Sequence, residues 1–99
     1  MTFERTDTGD ETELRIEGSL DAMSTPELRP IVDSIVAEKR TSVTVNLSAL
    51  RLIDSSGVGV IVSLYKRLRA QGGRLVVKGL KDQPLAIFRL LRLDRVFNI

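Results

Sequence analysis

The sequence predicts a small α/β domain: one mixed β-sheet of about four to five strands with helices packed on it. Three observations lead there. Short alternating or β-branched runs are interleaved with longer runs of helical spacing, the pattern of strands and helices that share a sheet. Gly, Pro and small polar residues punctuate the joints between them. At 99 residues the chain supports one modest core, and no linker-like or repetitive stretch divides it, so residues 1–99 read as one domain.

Thr2 to Thr6 reads as a short edge strand, followed by a polar turn through Thr8, Gly9 and Asp10. Leu14 to Gly18 alternates with period two, as a half-buried strand does. Leu20 and Asp21 lead by a polar step to Ser24, Thr25 and Pro26. There Ser24 and Glu27 have the spacing of a capping box, and Pro26 fits a first helical turn. Leu28, Ile31, Val32, Ile35 and Val36 then fall on one helical face. Pro30 lies close to that start, so its missing N–H costs less than it would in mid-helix. Val43 to Leu47 is β-rich and predicts a central strand.

Ser48 to Ile53 reads as a connection into the turn Asp54-Ser55-Ser56-Gly57. A second helix is predicted from Ser56 to Gln71, closed by Gly72-Gly73, and Arg74 to Leu80 reads as another strand. Asp82 is placed to cap a third helix, with Pro84 in its first turn and Leu85, Phe88 and Leu91 on a common face. Val96 to Ile99 closes the chain as a short apolar segment.

Composition removes several function classes. The chain has no Cys and no His, which excludes zinc-type sites, disulfides, thiol nucleophiles and Ser–His pairs. Neither a dinucleotide fingerprint nor a P-loop follows Gly57-Val58-Gly59. The expectation is therefore a non-enzyme with no catalytic residue, no metal site and no cofactor. No run approaches transmembrane length and the first residues lack a signal-peptide layout, so the expected location is cytoplasmic, without membrane insertion.

The net charge of +2 conceals a polarity. Residues 1–33 carry nine acidic and three basic side chains, and residues 66–99 carry two acidic and nine basic. A basic third invites a nucleic-acid reading, but one Tyr, three Phe and no Trp leave few stacking platforms, and no DNA- or RNA-binding signature accompanies it. Direct nucleic-acid binding is not expected.

The segment Ile53-Asp54-Ser55-Ser56-Gly57-Val58-Gly59 concentrates the functional information. It places two hydroxyls where a loop becomes a helix, and such a start offers unpaired N–H groups and a positive dipole end to an anion or a phosphorylatable side chain. Along the helix, Ile61, Leu64 and Leu68, flanked by Val60, form a core stripe. Ser56, Gly59 and Ser63 form a second strip of small residues, with Val58 and Val62 as its apolar margin. Gly inside a helix costs about 1 kcal/mol relative to Ala, so Gly59 needs a reason, and the close approach of another backbone, internal or from a partner, is one such reason. In the partner case a phosphoryl group on Ser56 would switch docking off, because it carries about −1.5 to −2 charges into the interface. Ser55 is expected to cap the turn.

With these residues in order, the chain resembles a STAS domain, specifically the bacterial anti-sigma factor antagonist branch. The resemblance spans nearly the whole chain. It rests on Gly18-Ser19-Leu20-Asp21, Val45-Asn46-Leu47, the Asp-Ser-Ser-Gly segment, Gln71-Gly72-Gly73-Arg74-Leu75 and Leu93-Asp94-Arg95-Val96-Phe97. It implies that the unphosphorylated protein binds a GHKL-type anti-sigma factor that is also a serine kinase, freeing a sigma factor. It further implies phosphorylation of Ser56 by that kinase and reversal by a PP2C-type phosphatase, ATP and Mg²⁺ belonging to the kinase. Asp21 and Asp54 would border the phosphorylation region and, with Ser55, Ser56, Gly57, Val58, Gly59, Val62 and Ser63, make the partner surface. Two departures stand out: Val58 where Leu is usual, and the basic final third. Alternatives within the fold are a STAS subunit of a phospholipid-trafficking ABC transporter and a stressosome scaffold component.

Overall fold

A computed structural model describes residues 1–99. Strand β1 (Thr2–Thr8) runs antiparallel to β2 (Glu11–Leu20), with Thr2 opposite Glu17 and Thr8 opposite Glu11. The ten-residue β2 is the organising strand. Along its other side it pairs in parallel first with β3 (Ser42–Asn46), Leu14 opposite Val45, and then with β4 (Leu50–Ile53), Leu20 opposite Ile53. Strand β5 (Arg74–Lys78) lies parallel to β3 at the far edge, giving the order β1-β2-β3-β5 in a mixed five-stranded sheet.

Alternation sorts the two sheet faces. Thr12, Leu14 and Ile16 of β2, Val43 and Val45 of β3, and Leu75 and Val77 of β5 are buried. Their neighbours are solvated and include an ion pair between Lys78 and Glu13 at 3.1 Å.

Strand β4 departs from the sequence reading, which made Ser48 to Ile53 a connection. The register shifts between Gly18 and Ser19, which pair with Leu50 and Leu52, so Arg51 is an extra residue in a bulge. Leu50 and Ile53 are buried while Arg51 and Leu52 are exposed, and that spacing hides the period-two signal.

Helix α1 (Thr25–Ala37) buries Thr25, Leu28, Val32, Ile35 and Val36. Its start is not a capping box. The Ser24 side chain makes no cap bond to the helix; its hydroxyl donates to the Ser19 carbonyl at 3.0 Å and accepts from the Asp21 N–H at 3.0 Å. Pro30 is the sixth helical residue, so the helix runs without an N–H bond to the Pro26 carbonyl. Burial of its apolar stripe carries it past that point.

Helix α2 (Ser55–Ala70) buries Gly57, Val58, Val60, Ile61, Leu64 and Leu68. It ends in a Schellman motif: Gly73 N–H donates to the Leu68 carbonyl at 2.8 Å and Gly72 N–H to Arg69 at 3.0 Å, with Gly72 at φ +78°. Helix α3 (Asp82–Leu90) starts one residue after Lys81, and Asp82 makes no cap bond. Its buried residues are Pro84 and Phe88, whereas Leu91, expected on that face, is half exposed. The closing segment includes a short helix α4 (Leu93–Val96), anchored by Phe97 edge-on to Tyr65 at 5.1 Å and tilted against Phe88 at 5.8 Å. No helix is long and apolar enough to cross a membrane.

Candidate functional site

The parallel ends of β2 and β4 deliver the chain to the start of α2. Asp54 N–H donates to the Leu20 carbonyl at 3.1 Å, tying the two strand ends together. The Asp54 side chain then turns into the helix and accepts from the Gly57 N–H at 3.1 Å, while its carbonyl accepts from Val58 N–H at 3.0 Å. The N-cap is thus Asp54 and not Ser55, as the sequence had suggested: the extended backbone at Asp54 lets a carboxylate reach the third helical N–H.

Ser55 and Ser56 become the first two helical residues, Ser55 exposed and Ser56 half-buried. Their backbone N–H groups donate to no protein acceptor, so two of the orphan donors of this terminus stay available beside the Ser56 hydroxyl. Asp21 lies on the neighbouring turn, where its carboxylate accepts from the Met23 N–H at 2.9 Å and the Ser24 N–H at 3.1 Å. Both carboxylates at the site are therefore held by backbone donors.

A contact that no local pattern signals holds this corner from outside. Gln83 of α3 accepts from the Ile53 N–H and donates to the Ile53 carbonyl, both at 3.0 Å. The side-chain amide takes the place of a neighbouring strand on the free edge of β4. The two residues are thirty apart in the chain, so only the docking of α3 on β4 creates the pair.

The two glycines of the segment differ in role. A Cβ on Gly57 would meet the Leu20 carbonyl oxygen at 2.7 Å and both Ile53 Cγ1 and Leu20 Cγ at 2.8 Å, so close internal approach requires Gly there. A Cβ on Gly59 would meet nothing within 4 Å. The internal explanation for Gly59 is thereby removed. Ser63 continues the open strip and lines a depression of about 100 Å³ between α1 and α2, beside an Arg67–Asp33 ion pair at 2.7 Å.

Val58, expected as an apolar margin of this strip, is 6 % exposed and belongs to the core; Val62 is half-buried. Exposed apolar surface comes instead from residues the sequence reading passed over. Met23 is 89 % exposed and Leu52 is 53 % exposed. Leu52 shares a depression of about 280 Å³ with Asp21, Asp54 and Gln83. Met23 shares one of about 350 Å³ with Asp21 and Arg51. No sequence signal marks them, since Met23 sits in a polar step and Leu52 is turned outward by the bulge at Arg51.

The family model described as "Mlab, STAS domain" matches residues 3–98. The chain belongs to the STAS-domain family. Similar relatives of this STAS domain include the anti-sigma-B factor antagonist of Bacillus subtilis, 29 % identical over 87 residues, which cover 88 % of this chain and 79 % of the relative. The anti-sigma-B factor antagonist of Listeria monocytogenes is 26 % identical over 90 residues, covering 91 % of this chain and 79 % of the relative. Among solved structures, the anti-sigma factor antagonist SpoIIAA in its unphosphorylated form superposes with a TM-score of 0.75 at 23 % identity, covering 99 % of this chain and all of that one. The phosphorylated form of the Bacillus protein gives 0.79 at 23 % identity, over 95 % of this chain and 86 % of that one. These superpositions establish the shared fold.

Proposed function

We propose that this STAS domain is an anti-sigma factor antagonist whose docking surface is switched off by phosphorylation of Ser56. Gly59 carries the reading. A glycine in mid-helix lowers helix stability by about 1 kcal/mol, and here no internal neighbour requires it. Its use is to let the backbone of a partner come close, between Ser56 and Ser63. The docking surface comprises Ser55, Ser56, Gly59, Val62 and Ser63 on α2, with Asp21 and Asp54 at its border and Met23 and Leu52 as apolar contacts. Gly57 and Val58 contribute from beneath by fixing the helix against β2 and β4.

The partner is a GHKL-type anti-sigma factor with serine kinase activity, and a PP2C-type phosphatase restores the free serine. The names of the two relatives support the antagonist role, and the Asp54 cap supports the switch. With Asp54 bonded to Gly57 N–H, the N–H groups of Ser55 and Ser56 remain free to hold a phosphoryl group at the positive end of α2. The charge is accommodated without refolding, and the partner loses a neutral docking face. A partner with no cation opposite this charge must still bury it, and a cost of about 3 kcal/mol is a loss of more than a hundredfold in affinity.

Calorimetric titration of candidate kinases with Ser56→Ala and Ser56→Asp tests this. Ser56→Ala binds like the unmodified protein and Ser56→Asp does not bind. Equal affinities for the two variants refute the switch, and incubation with kinase and ATP followed by mass spectrometry locates the modified serine.

A further inference from the structure

The corner formed by the end of α3 and by α4 has a composition that neither the core nor the Ser56 surface explains. Leu90 is 77 % exposed, Leu91 50 % and Val96 46 %. They are interleaved with Arg89, Arg92 and Arg95, all exposed and none in an ion pair. Helix α3 stops where Leu91 N–H bonds the Ile87 carbonyl and Arg92 N–H the Arg89 carbonyl, both at 3.0 Å, and Arg92 takes φ +59°. Leu90, Leu91 and Arg92 therefore form a projecting turn, held from below by buried Phe88 and Phe97. The Phe97–Tyr65 contact brings α2 alongside, and Arg69, stacked 5.6 Å over the Tyr65 ring, adds a fourth cation. Asp94, half-buried, is the one acidic side chain among residues 83–99.

Two features identify the occupant. The first is charge complementarity: four arginines with no acidic partner call for an anionic surface. The second is shape. Leu90 and Leu91 project from the turn at Arg92, and none of the five depressions on the molecule is lined by residues 84–99, so the corner offers no pocket for a partner side chain. A projecting apolar tip ringed by arginines suits a fluid anionic interface, which deforms around it, better than a rigid protein face, which needs complementary grooves. We propose that the α3–α4 corner is a peripheral docking site for anionic phospholipid, with Leu90 and Leu91 entering the acyl boundary and Arg89, Arg92, Arg95 and Arg69 meeting the phosphates. The Ser56 surface stays free, because it lies at the opposite end of α3, where Gln83 bonds Ile53.

Vesicle cosedimentation of the full chain tests the proposal. Vesicles of equal parts phosphatidylglycerol and phosphatidylcholine are expected to retain the protein at least about tenfold better than phosphatidylcholine alone at low salt, the preference fading near 0.5 M salt. The Leu90→Ser/Leu91→Ser double variant, at exposed positions that leave the fold intact, loses about tenfold in partitioning, and Arg92→Gln/Arg95→Gln loses the preference for phosphatidylglycerol. Ser56→Asp leaves retention unchanged, which separates this result from the fate of the switch. No anionic preference, retention insensitive to the leucine change, or equal retention on polyglutamate or duplex DNA would each overturn it.

Discussion

Gly57 and Gly59 stand two residues apart in one helix, and Ala at each position is expected to change stability in opposite directions. At Gly59 the new methyl group enters open space, so the substitution acts through backbone entropy and helix propensity. The gain is about 0.8–1 kcal/mol, which for a domain of this size raises the melting temperature by about 4 °C. At Gly57 the Cβ would stand 2.7 Å from the Leu20 carbonyl oxygen, well inside contact distance. That oxygen cannot swing aside freely, because it accepts the Asp54 N–H at 3.1 Å. Leu20 Cγ and Ile53 Cγ1, each at 2.8 Å, belong to side chains no more than 4 % exposed, so they have no room to give. Overpacking of this kind costs about 1–3 kcal/mol, and the propensity gain offsets less than 1 of it. A backbone oxygen at 2.7 Å places the clash in the upper part of that range, so the net expectation is a loss of about 1–2 kcal/mol. Urea titration of the two variants beside the parent reads both signs at once. Gly57→Ala as stable as the parent, or Gly59→Ala less stable, would refute the assignment of internal packing to one glycine and an open face to the other. If the open face docks a partner, Gly59→Ala also binds more weakly although it is more stable.

Gln83→Ala leaves the N–H and carbonyl of buried Ile53 without partners; a loss of about 1–3 kcal/mol is expected, together with faster hydrogen exchange at the Ile53 amide. Asp54→Ala removes the cap on α2 and costs about 1 kcal/mol by thermal denaturation, whereas Ser55→Ala changes stability little, reversing the order that serine capping would give. Acid sensitivity traces to Arg5, whose hydrogen bonds hold the Glu38 and Asp7 carboxyls below their ordinary range, Thr12 assisting at Asp7. Because these folded-state values are depressed, the stabilisation is complete above the unfolded values near pH 4 and is lost as pH falls through the folded ones. Arg5→Gln should therefore flatten stability between about pH 5 and 2, a slope to which Glu13, depressed by Lys78, still contributes.

Most of the elements were legible because each carries its own local signal. The stripe Leu28–Val32–Ile35 and the stripe Ile61–Leu64–Leu68 are helical in period, and the Gly72-Gly73 stop is local chemistry. The strand β4 was not legible, since a bulge at Arg51 spoils its alternation. The cap was legible as a place but not as a residue. Asp54 and Ser55 are both good caps by type, and the choice fell to the bond between Asp54 N–H and Leu20, made by a distant strand. Val58 looked like a surface residue because helical spacing gives relative angles, not the direction of the core.

By itself the sequence determined the α/β class, the absence of Cys and His, the helix start carrying Ser55 and Ser56, and the small strip through Gly59. These depend on residue type and on spacing within a few positions, which the covalent chain sets. The tertiary structure alone decided which glycine is packed and which is open, that Gln83 clamps Ile53 across thirty residues, and that Met23 and Leu52 stand beside Asp21 and Asp54. Each of these is a distance between segments remote in sequence, fixed only when apolar burial docks α2 and α3 onto the sheet.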